Sequence, residues 1–231
     1  MKILGIETSS IVASVAITNN NILLGETTIN HPKKHSQKLM PIIKNLFSSL
    51  NMDINDIDLI AVANGPGSFT GIRIGLTTAK ALAHMSEIPI VTISTLDSLA
   101  VNNIKNVSYI VSIIDARRKN VFVKNYKIEN NTIISSSEPV MVIIDDYLEE
   151  INNLKGEVLL VGSGVTENIK YILDNKNDNI QIASDNDNFP IAKTLCSIAY
   201  EMPIDRYKRY DDVKANYLRK SQAEMTLKKK G

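Results

Sequence analysis

One order of predicted elements occurs twice along the chain, and it constrains the fold more than any other feature. Apolar runs and helical periodicities predict three strands, a helix, a strand, a helix, a strand and a helix in residues 2–101, and the same order returns in residues 107–201. Meandering strands followed by strand–helix units indicate mixed sheets with helices packed on their faces. The sequence therefore predicts an α/β protein of two related lobes, residues 1–103 and residues 104–231.

The composition fits a folded protein and argues against several classes. Hydrophobic residues make up 44% of the chain and charged residues 22%, which is enough apolar content for a core. No apolar stretch approaches the ~20 residues that span a bilayer, and no signal peptide precedes the first predicted strand. The single cysteine, Cys196, excludes an internal disulfide and lies in an apolar run typical of a buried thiol. We expect a cytoplasmic protein without a membrane partner.

Charge is unevenly distributed, although the net charge of the chain is only +1. Residues 206–230 hold nine Lys or Arg against three acids, which leaves the rest of the chain mildly acidic. A basic C-terminal tail can contact RNA or a phosphate-rich partner, and a tail that is merely solvated is the alternative.

The stretch NGPGSFTGIRIGLTTAKALA, residues 64–83, contains four of the ten glycines. It lacks the Lys–Ser/Thr pair that follows the last glycine of a P-loop, and its spacing does not match the dinucleotide-binding pattern G-x-G-x-x-G. We predict instead a strand-to-helix turn at Pro66 and Gly67, with Ser68 as the helix cap.

Small residues recur at every fourth position of the helix that follows, at Gly71, Gly75, Ala79 and Ala83. An interior glycine costs a helix ~1 kcal/mol relative to alanine, so two of them indicate that another element approaches the helix closely. That element is either the sheet of this chain or the helix of a partner, and the sequence leaves both alternatives open.

Residues with catalytic or metal-binding chemistry form no recognisable constellation. His31 and His35 have the i, i+4 spacing of a metal pair, but Pro32 lies between them and the predicted helix begins only afterwards. Ser163 lies in a Gly-Ser-Gly turn that could face a phosphate, and not in a nucleophile elbow. Asp115 precedes a basic turn, which makes it either part of a site or half of a local salt bridge. We therefore predict no catalytic residue and no metal site.

Several stretches together resemble one protein family over nearly the whole chain. They are LGIETSS, NGPGSFTGIRIGLTTAKALA, STLDSLA, IDARRKNVF and ANYLRKSQAE. In this order they resemble the bacterial TsaB family, formerly called YeaZ. The resemblance implies the actin-like, sugar-kinase-like ATPase fold (ribonuclease H-like), which is built from two related lobes and agrees with the repeated order of elements.

The resemblance also implies a function. TsaB proteins serve in making N6-threonylcarbamoyladenosine, a modified base beside the anticodon of tRNA. They are non-catalytic scaffolds that bind and activate the threonylcarbamoyltransferase TsaD, and the ATPase TsaE joins the two. By this resemblance TsaD and TsaE are the expected protein partners, and tRNA is reached only through the complex. A homodimer is expected as well.

The catalytic relative binds a metal through H-x-x-x-H just after the strand that follows the glycine-rich helix. The matching positions of this chain are Thr95 and Leu99, or Ser94 and Ser98 after a one-residue shift. Neither choice supplies a histidine, so a metal-dependent transfer centre is not expected in this lobe.

The first phosphate loop of this fold usually reads D-x-G-T, and this chain differs from that pattern. It has Glu7, Thr8, Ser9 and Ser10 at those positions, so side chains replace the glycine backbone that would approach a phosphate. The resemblance therefore implies a vestigial nucleotide loop and no cofactor for the isolated chain. ATP and metal would belong to the partner subunits, and a nucleotide held at the partner interface stays open.

The resemblance implies a docking surface made by the two helices of the first lobe, which begin near Ser36 and Phe69. The candidate interface residues for TsaD, or for a second copy of the chain, are Leu39, Ile43, Leu46, Phe47, Arg73, Ile74, Gly75 and Thr78. The rival interpretations are a free-standing metallopeptidase and a kinase of the same fold. The missing histidine pair argues against the first, and the altered phosphate loop argues against the second.

Overall fold

The computed structural model describes residues 1–30 and 35–215, and the side chains of residues 1–30 and 39–215. Most of the predicted basic tail lies beyond Ala215, outside the described residues. His31 and the side chain of His35 lie outside them as well, so the structure does not bear on the predicted histidine pair.

The first five strands form one mixed sheet. In chain order they are β1 (Lys2–Glu7), β2 (Val12–Asn19), β3 (Ile22–Asn30), β4 (Leu59–Ala63) and β5 (Ile90–Ile93). Their spatial order is β3-β2-β1-β4-β5, with β2 antiparallel to both neighbours and β1, β4 and β5 mutually parallel. The helices of this half are α1 (His35–Ser49), α2 (Phe69–Ser86) and α3 (Thr95–Asn102). The apolar run of β4 is buried throughout, as expected for a strand between two parallel neighbours.

The second half builds a sheet with the same connectivity. Its strands are β6 (Tyr109–Asp115), β7 (Asn120–Glu129), β8 (Thr132–Ser136), β9 (Val140–Ile143), β10 (Val158–Val161) and β11 (Ile180–Ile182). Their order is β11-β10-β6-β7-β8, and β9 pairs with the remaining part of β7. The helices are α4 (Ile144–Asn152), α5 (Ser163–Glu167), α6 (Ile169–Asn175) and α7 (Ala192–Glu201). The predicted α/β fold of two related lobes with mixed, helix-flanked sheets is confirmed.

The last helix of each half packs on the sheet of the other half. Leu96, Leu99 and Ala100 of α3 join the core of the second sheet, and the Ser112 hydroxyl donates a hydrogen bond to the Leu96 carbonyl at 2.9 Å. Helix α7 covers the face of the first sheet opposite α1 and α2. The predicted boundary at residue 103 therefore falls between the two sheets, but the packing of α3 and α7 crosses it.

The turn before α2 has the predicted chemistry. Gly67 has φ +153°, and the Ser68 hydroxyl accepts the Gly71 N–H at 3.2 Å, which caps the helix. For the corresponding segment of the second half, the apolar pattern predicts one helix over residues 166–173, and the structure differs from this prediction. The helix begins at Ser163 and is interrupted at Asn168, whose side-chain amide donates to the Gly164 carbonyl at 2.8 Å.

The single cysteine is a buried thiol, as the sequence predicts. Cys196 is 0% exposed between α7 and the first sheet, and burial raises the pKa of its thiol to about 12. Among the described residues, no helix is long and apolar enough to cross a membrane.

Candidate functional site

The turn between β1 and β2 is locked against the first turn of α2. The Thr8 hydroxyl donates to the Gly71 carbonyl at 2.8 Å, and the Ser68 N–H donates to the Ser9 carbonyl at 2.7 Å. A Cβ atom at Gly71 would overlap the Thr8 carbonyl oxygen, and one at Gly75 would overlap the Thr8 hydroxyl. Of the two alternatives for the small-residue face, the structure shows the internal one, because the glycines let α2 approach the end of β1.

The Glu7 carboxyl is enclosed by this arrangement. Glu7 is 0% exposed, and its Oε1 accepts the Ser9 N–H at 2.6 Å. Its Oε2 has no hydrogen-bond partner among the described residues. Burial raises the pKa of this carboxyl to about 7, against the opposing effect of the hydrogen bonds from Ser9. A carboxyl in this position is closed off from solvent and is not presented to a ligand.

Residues 7–10, the predicted vestigial nucleotide loop, contact the start of α2. The Ser68 N–H points at the Ser9 carbonyl, and the Thr8 side chain occupies the space beside Gly75. Two N–H groups at this helix start, those of Ser68 and Gly71, thus donate to the chain's own Ser9 carbonyl and Ser68 hydroxyl.

The two positions that match the metal-binding histidines of the catalytic relative are buried in this protein. Thr95 and Leu99 are 2% and 1% exposed on α3. The ring of His84 packs against Tyr210, with ring centroids 4.4 Å apart. Within the part of the chain that the structure describes, no group of three or more His, Cys, Asp or Glu side chains could hold a metal ion.

The predicted interface residues divide into buried and exposed sets. Five are buried in the chain itself, and they are Leu39, Ile43, Leu46, Phe47 and Gly75. The apolar face of α1, to which the resemblance assigns docking, packs on the first sheet. Arg73 is exposed, and Ile74 and Thr78 are half-buried. The interface stays a prediction, and only α2 offers predicted residues that a partner could reach in this conformation.

Helix α2 has an outer face that sequence reasoning only partly found. It comprises residues spaced i, i+4, i+7, i+8, i+11 and i+15, namely Thr70, Ile74, Thr77, Thr78, Ala81 and Met85. These side chains are small or apolar and none is charged, and Met85 is 78% exposed. Arg73, Lys80 and His84 flank this outer face along one side. The sequence does contain the pattern that predicts this outer face, because its uncharged residues recur at helical spacing beside the glycines.

A cleft of about 850 Å³ lies between the two lobes. The first lobe contributes the turn after β1 and the start of α2, and the second contributes the turn after β6, the start of α5 and the segment before α7. Asp115 lines this cleft, and its Oδ1 accepts the Arg117 N–H at 3.0 Å. The basic turn and Asp115 therefore belong to the cleft wall, and the carboxylate bonds to backbone rather than to a guanidinium.

Comparison with known proteins agrees with this architecture. A family model described as TsaD, tRNA N6-adenosine threonylcarbamoyltransferase, matches residues 23–166. The structure of YeaZ from Pseudomonas aeruginosa superposes with a TM-score of 0.77 over 94% of this chain and 99% of that chain, at 20% identity, which shows a shared fold.

Two curated relatives carry the same name. The tRNA threonylcarbamoyladenosine biosynthesis protein TsaB of Bacillus subtilis is 34% identical over 174 residues, which cover 75% of this chain and 76% of that protein. The TsaB protein of Escherichia coli is 31% identical over 167 residues, covering 71% of this chain and 72% of that protein. The resemblance predicted from the sequence motifs is thereby confirmed, and this chain belongs to the TsaB family.

Proposed function

We propose that this chain is a non-catalytic subunit of the machinery that makes N6-threonylcarbamoyladenosine in tRNA, and that it binds and activates the threonylcarbamoyltransferase TsaD. Membership in the TsaB family supports the pathway. The observation that carries the docking role is the outer face of α2, whose side chains are uncharged and exposed or half-buried, on a helix that is unbroken over 18 residues.

The chemistry of this outer face suits another helix. Small side chains such as Thr77 and Ala81 let two helix axes approach to about 8–10 Å, and Met85 supplies an apolar contact that adapts to its surroundings. The flanking cations Arg73 and Lys80 would lie at the rim, where charge sets orientation more than affinity. The partner surface is therefore expected to be a helix with small apolar residues and an acidic border.

The buried face of α2 supports docking indirectly. Gly71 and Gly75 fix the helix to the end of β1, and Leu46 and Phe47 of α1 complete the core beneath it. A helix that is already rigid loses little conformational entropy when a partner binds. The buried members of the predicted interface thus act by holding the contact face in place.

We further propose that the isolated chain holds no nucleotide at residues 7–10. The closed turn and the engaged Ser68 N–H support this, as does the enclosure of Glu7. ATP and metal would then belong to TsaD and the third subunit, TsaE, and tRNA would be reached through the complex in the cytoplasm. A homodimer through the same outer face of α2 would compete with TsaD.

The test places acids on the outer face of α2, since substitutions at Gly75 or Leu46 would disturb the fold itself. Thr77→Glu and Ala81→Glu together should weaken the complex with the same organism's TsaD at least tenfold, which corresponds to about 1.4 kcal/mol. Threonylcarbamoyl transfer at limiting subunit concentration should fall with it. Complex formation is measured by size-exclusion chromatography with light scattering.

Leu173→Glu is the matched control, because Leu173 is a 55% exposed apolar residue on a helix of the second lobe. It should leave both readouts unchanged. Undiminished co-elution of the double α2 variant would overturn docking through this face.

A further inference from the structure

A short series of hydrogen bonds connects the carboxyl of Glu7 to the start of α2. Its Oε1 accepts the Ser9 N–H at 2.6 Å, and the Ser9 carbonyl accepts the Ser68 N–H at 2.7 Å. Ser68 is the cap residue of α2. The intervening Thr8 donates its hydroxyl to the Gly71 carbonyl at 2.8 Å. The conformation of the turn after β1 therefore determines where the first turn of α2 lies.

The packing around this turn leaves little room for another arrangement. A Cβ atom at Gly67 would overlap the Ser9 carbonyl oxygen, and one at Gly71 would overlap the Thr8 carbonyl oxygen. Both contacts are made by backbone atoms, which cannot move aside as the end of a side chain can. A change in the turn is therefore transmitted to α2 rather than absorbed locally.

The carboxyl of Glu7 is buried without a charged partner. It is 0% exposed, and within the part of the chain that the structure describes its Oε2 has no hydrogen-bond partner and no base pairs with it. The residue opposite it on β2 is Ser14, whose hydroxyl donates to the Glu26 carboxylate of β3 at 3.1 Å. The nearest charged group in this direction is thus a second acid, which disfavours the ionised form of Glu7.

The other elements that pack against β1 are β4, α2 and α7. Strand β4 is apolar throughout. The titratable side chains of the two helices are Arg73, Lys80 and His84 on α2, and Lys193, Cys196 and Glu201 on α7. Of these only Cys196 is buried, and burial raises the pKa of its thiol to about 12, which keeps it neutral. Ionised Glu7 would therefore be a charge enclosed in apolar surroundings.

We propose that Glu7 is a positioning residue for helix α2, and that it holds the start of this helix in place only in its neutral form. A neutral carboxyl stays enclosed and bonded to Ser9, whereas a carboxylate needs water at Oε2 and opens the turn to admit it. Because burial raises the pKa of Glu7 to about 7, the two forms exchange near neutral pH. The first turn of α2 then loosens as the pH rises, and binding of TsaD weakens with it. The effect on TsaD rests on the proposed docking role, but the effect on α2 does not.

Hydrogen exchange of the full chain, followed by mass spectrometry and corrected for intrinsic exchange rates, tests the proposal without a partner. The protection factor of a peptide over residues 68–76, the start of α2, should fall at least threefold from pH 6 to pH 8, because ionisation favours the open turn. A peptide over residues 144–152, helix α4 of the second lobe, is the internal reference. Its protection factor should change less than twofold.

Glu7→Gln should protect the start of α2 equally at both pH values, because its side chain stays neutral. Glu26→Gln is the matched control, since it removes a half-buried carboxylate whose backbone partner lies in α7 and not in α2. It should leave the threefold loss in place. With the same organism's TsaD, the dissociation constant of the unmodified chain should rise at least threefold more from pH 6 to pH 8 than that of Glu7→Gln.

Three results would overturn the positioning role. They are equal protection of the start of α2 at both pH values in the unmodified chain, the same loss in Glu7→Gln, and an equally large loss in α4, which would mean that the whole chain opens. The pH series of the unmodified chain needs no variant, so it decides the matter without depending on the folding of Glu7→Gln. A loss confined to α2, together with no TsaD complex at either pH, would support the positioning role and overturn the docking role alone.

Discussion

The two lobes share one strand order, but they differ in the helix that follows the strand parallel to the first strand of each sheet, β4 in the first lobe and β10 in the second. In the first lobe this is α2, an uninterrupted helix of 18 residues. In the second lobe the equivalent segment is split into α5 of five residues and α6 of seven. The starts of α2 and α5 both line the cleft, but of these helices only α2 continues far enough to present a long outer face, so one architecture yields a docking candidate in only one lobe.

Helices α2 and α5 each approach the central strand of their sheet, β1 or β6, at a glycine. The atoms that lie closest to the two glycines differ. A Cβ at Gly71 would meet the Thr8 carbonyl oxygen, which is backbone. A Cβ at Gly164 would meet the Cγ2 of Ile113 at 2.6 Å, and the nearest backbone atoms, the Ile113 carbonyl carbon and oxygen, at 3.1 Å. The first lobe therefore tolerates less change at this contact than the second.

The largest expected effect follows from this difference. Gly71→Ala should lower the free energy of unfolding by about 3 kcal/mol or more, because backbone must move, whereas Gly164→Ala should cost about 1–2 kcal/mol. Urea unfolding of both variants followed by circular dichroism measures the difference. Equal losses would show that the two contacts have the same rigidity and would remove the contrast between the lobes.

The acid at the end of each central strand gives the second comparison, Glu7 in β1 against Asp115 in β6. The pKa of Glu7 rises from 4.5 to about 7 on folding, so the native state binds more protons between these values. The contribution of the Glu7 carboxyl to the free energy of unfolding is therefore at its maximum below pH 4.5. It falls by about 3 kcal/mol in all as the pH rises through 7.

Glu7→Gln should therefore flatten the dependence of unfolding free energy on pH between 4.5 and 8, and should raise stability most at pH 8. The unmodified chain, measured over the same pH range, supplies the reference slope. Denaturant unfolding at a series of pH values decides the matter. If the unfolding free energy of Glu7→Gln still depends on pH as it does in the unmodified chain, another group is responsible for that dependence.

Helices α3 and α7, each of which packs on the sheet of the other lobe, give the third comparison. We expect smaller losses of stability from substitutions at their contacts. Asp97 of α3 accepts the Lys124 ammonium and the Tyr126 hydroxyl, both at 2.7 Å, on the second sheet. On the first sheet, the backbone N–H of Ala192 in α7 donates to the Ser14 hydroxyl at 3.0 Å. Asp97→Ala should cost about 2 kcal/mol, because it leaves the largely buried Lys124 without its anion, and Ser14→Ala about 1 kcal/mol.

Thermal unfolding of Asp97→Ala and Ser14→Ala measures the two attachments separately. A larger loss for Ser14→Ala would mean that α7 is the more strongly anchored of the two exchanged helices. Two separate transitions in either variant would show that the exchange of helices is what makes the lobes unfold together.

The sequence predicted structure best where a few neighbouring residues determine the local conformation or burial. The cap at Ser68, the turn at Gly67 and the buried thiol of Cys196 are all present as predicted. The break at Asn168 was not predicted, because it depends on a side-chain amide that competes for one helical carbonyl. Periodicity alone gives no sign of such a competition.

The sequence by itself determined the order of the elements, the two related lobes, the family and the departure from the phosphate-loop pattern, since each of these rests on residue type and spacing. Only the tertiary structure decided which neighbour meets each face. An amphipathic helix such as α1 must bury its apolar side, but nothing in its spacing says whether its own sheet or a partner covers it. The same limit applies to the glycine row of α2, to the exchange of α3 and α7, and to the cleft that joins residues from both ends of the chain.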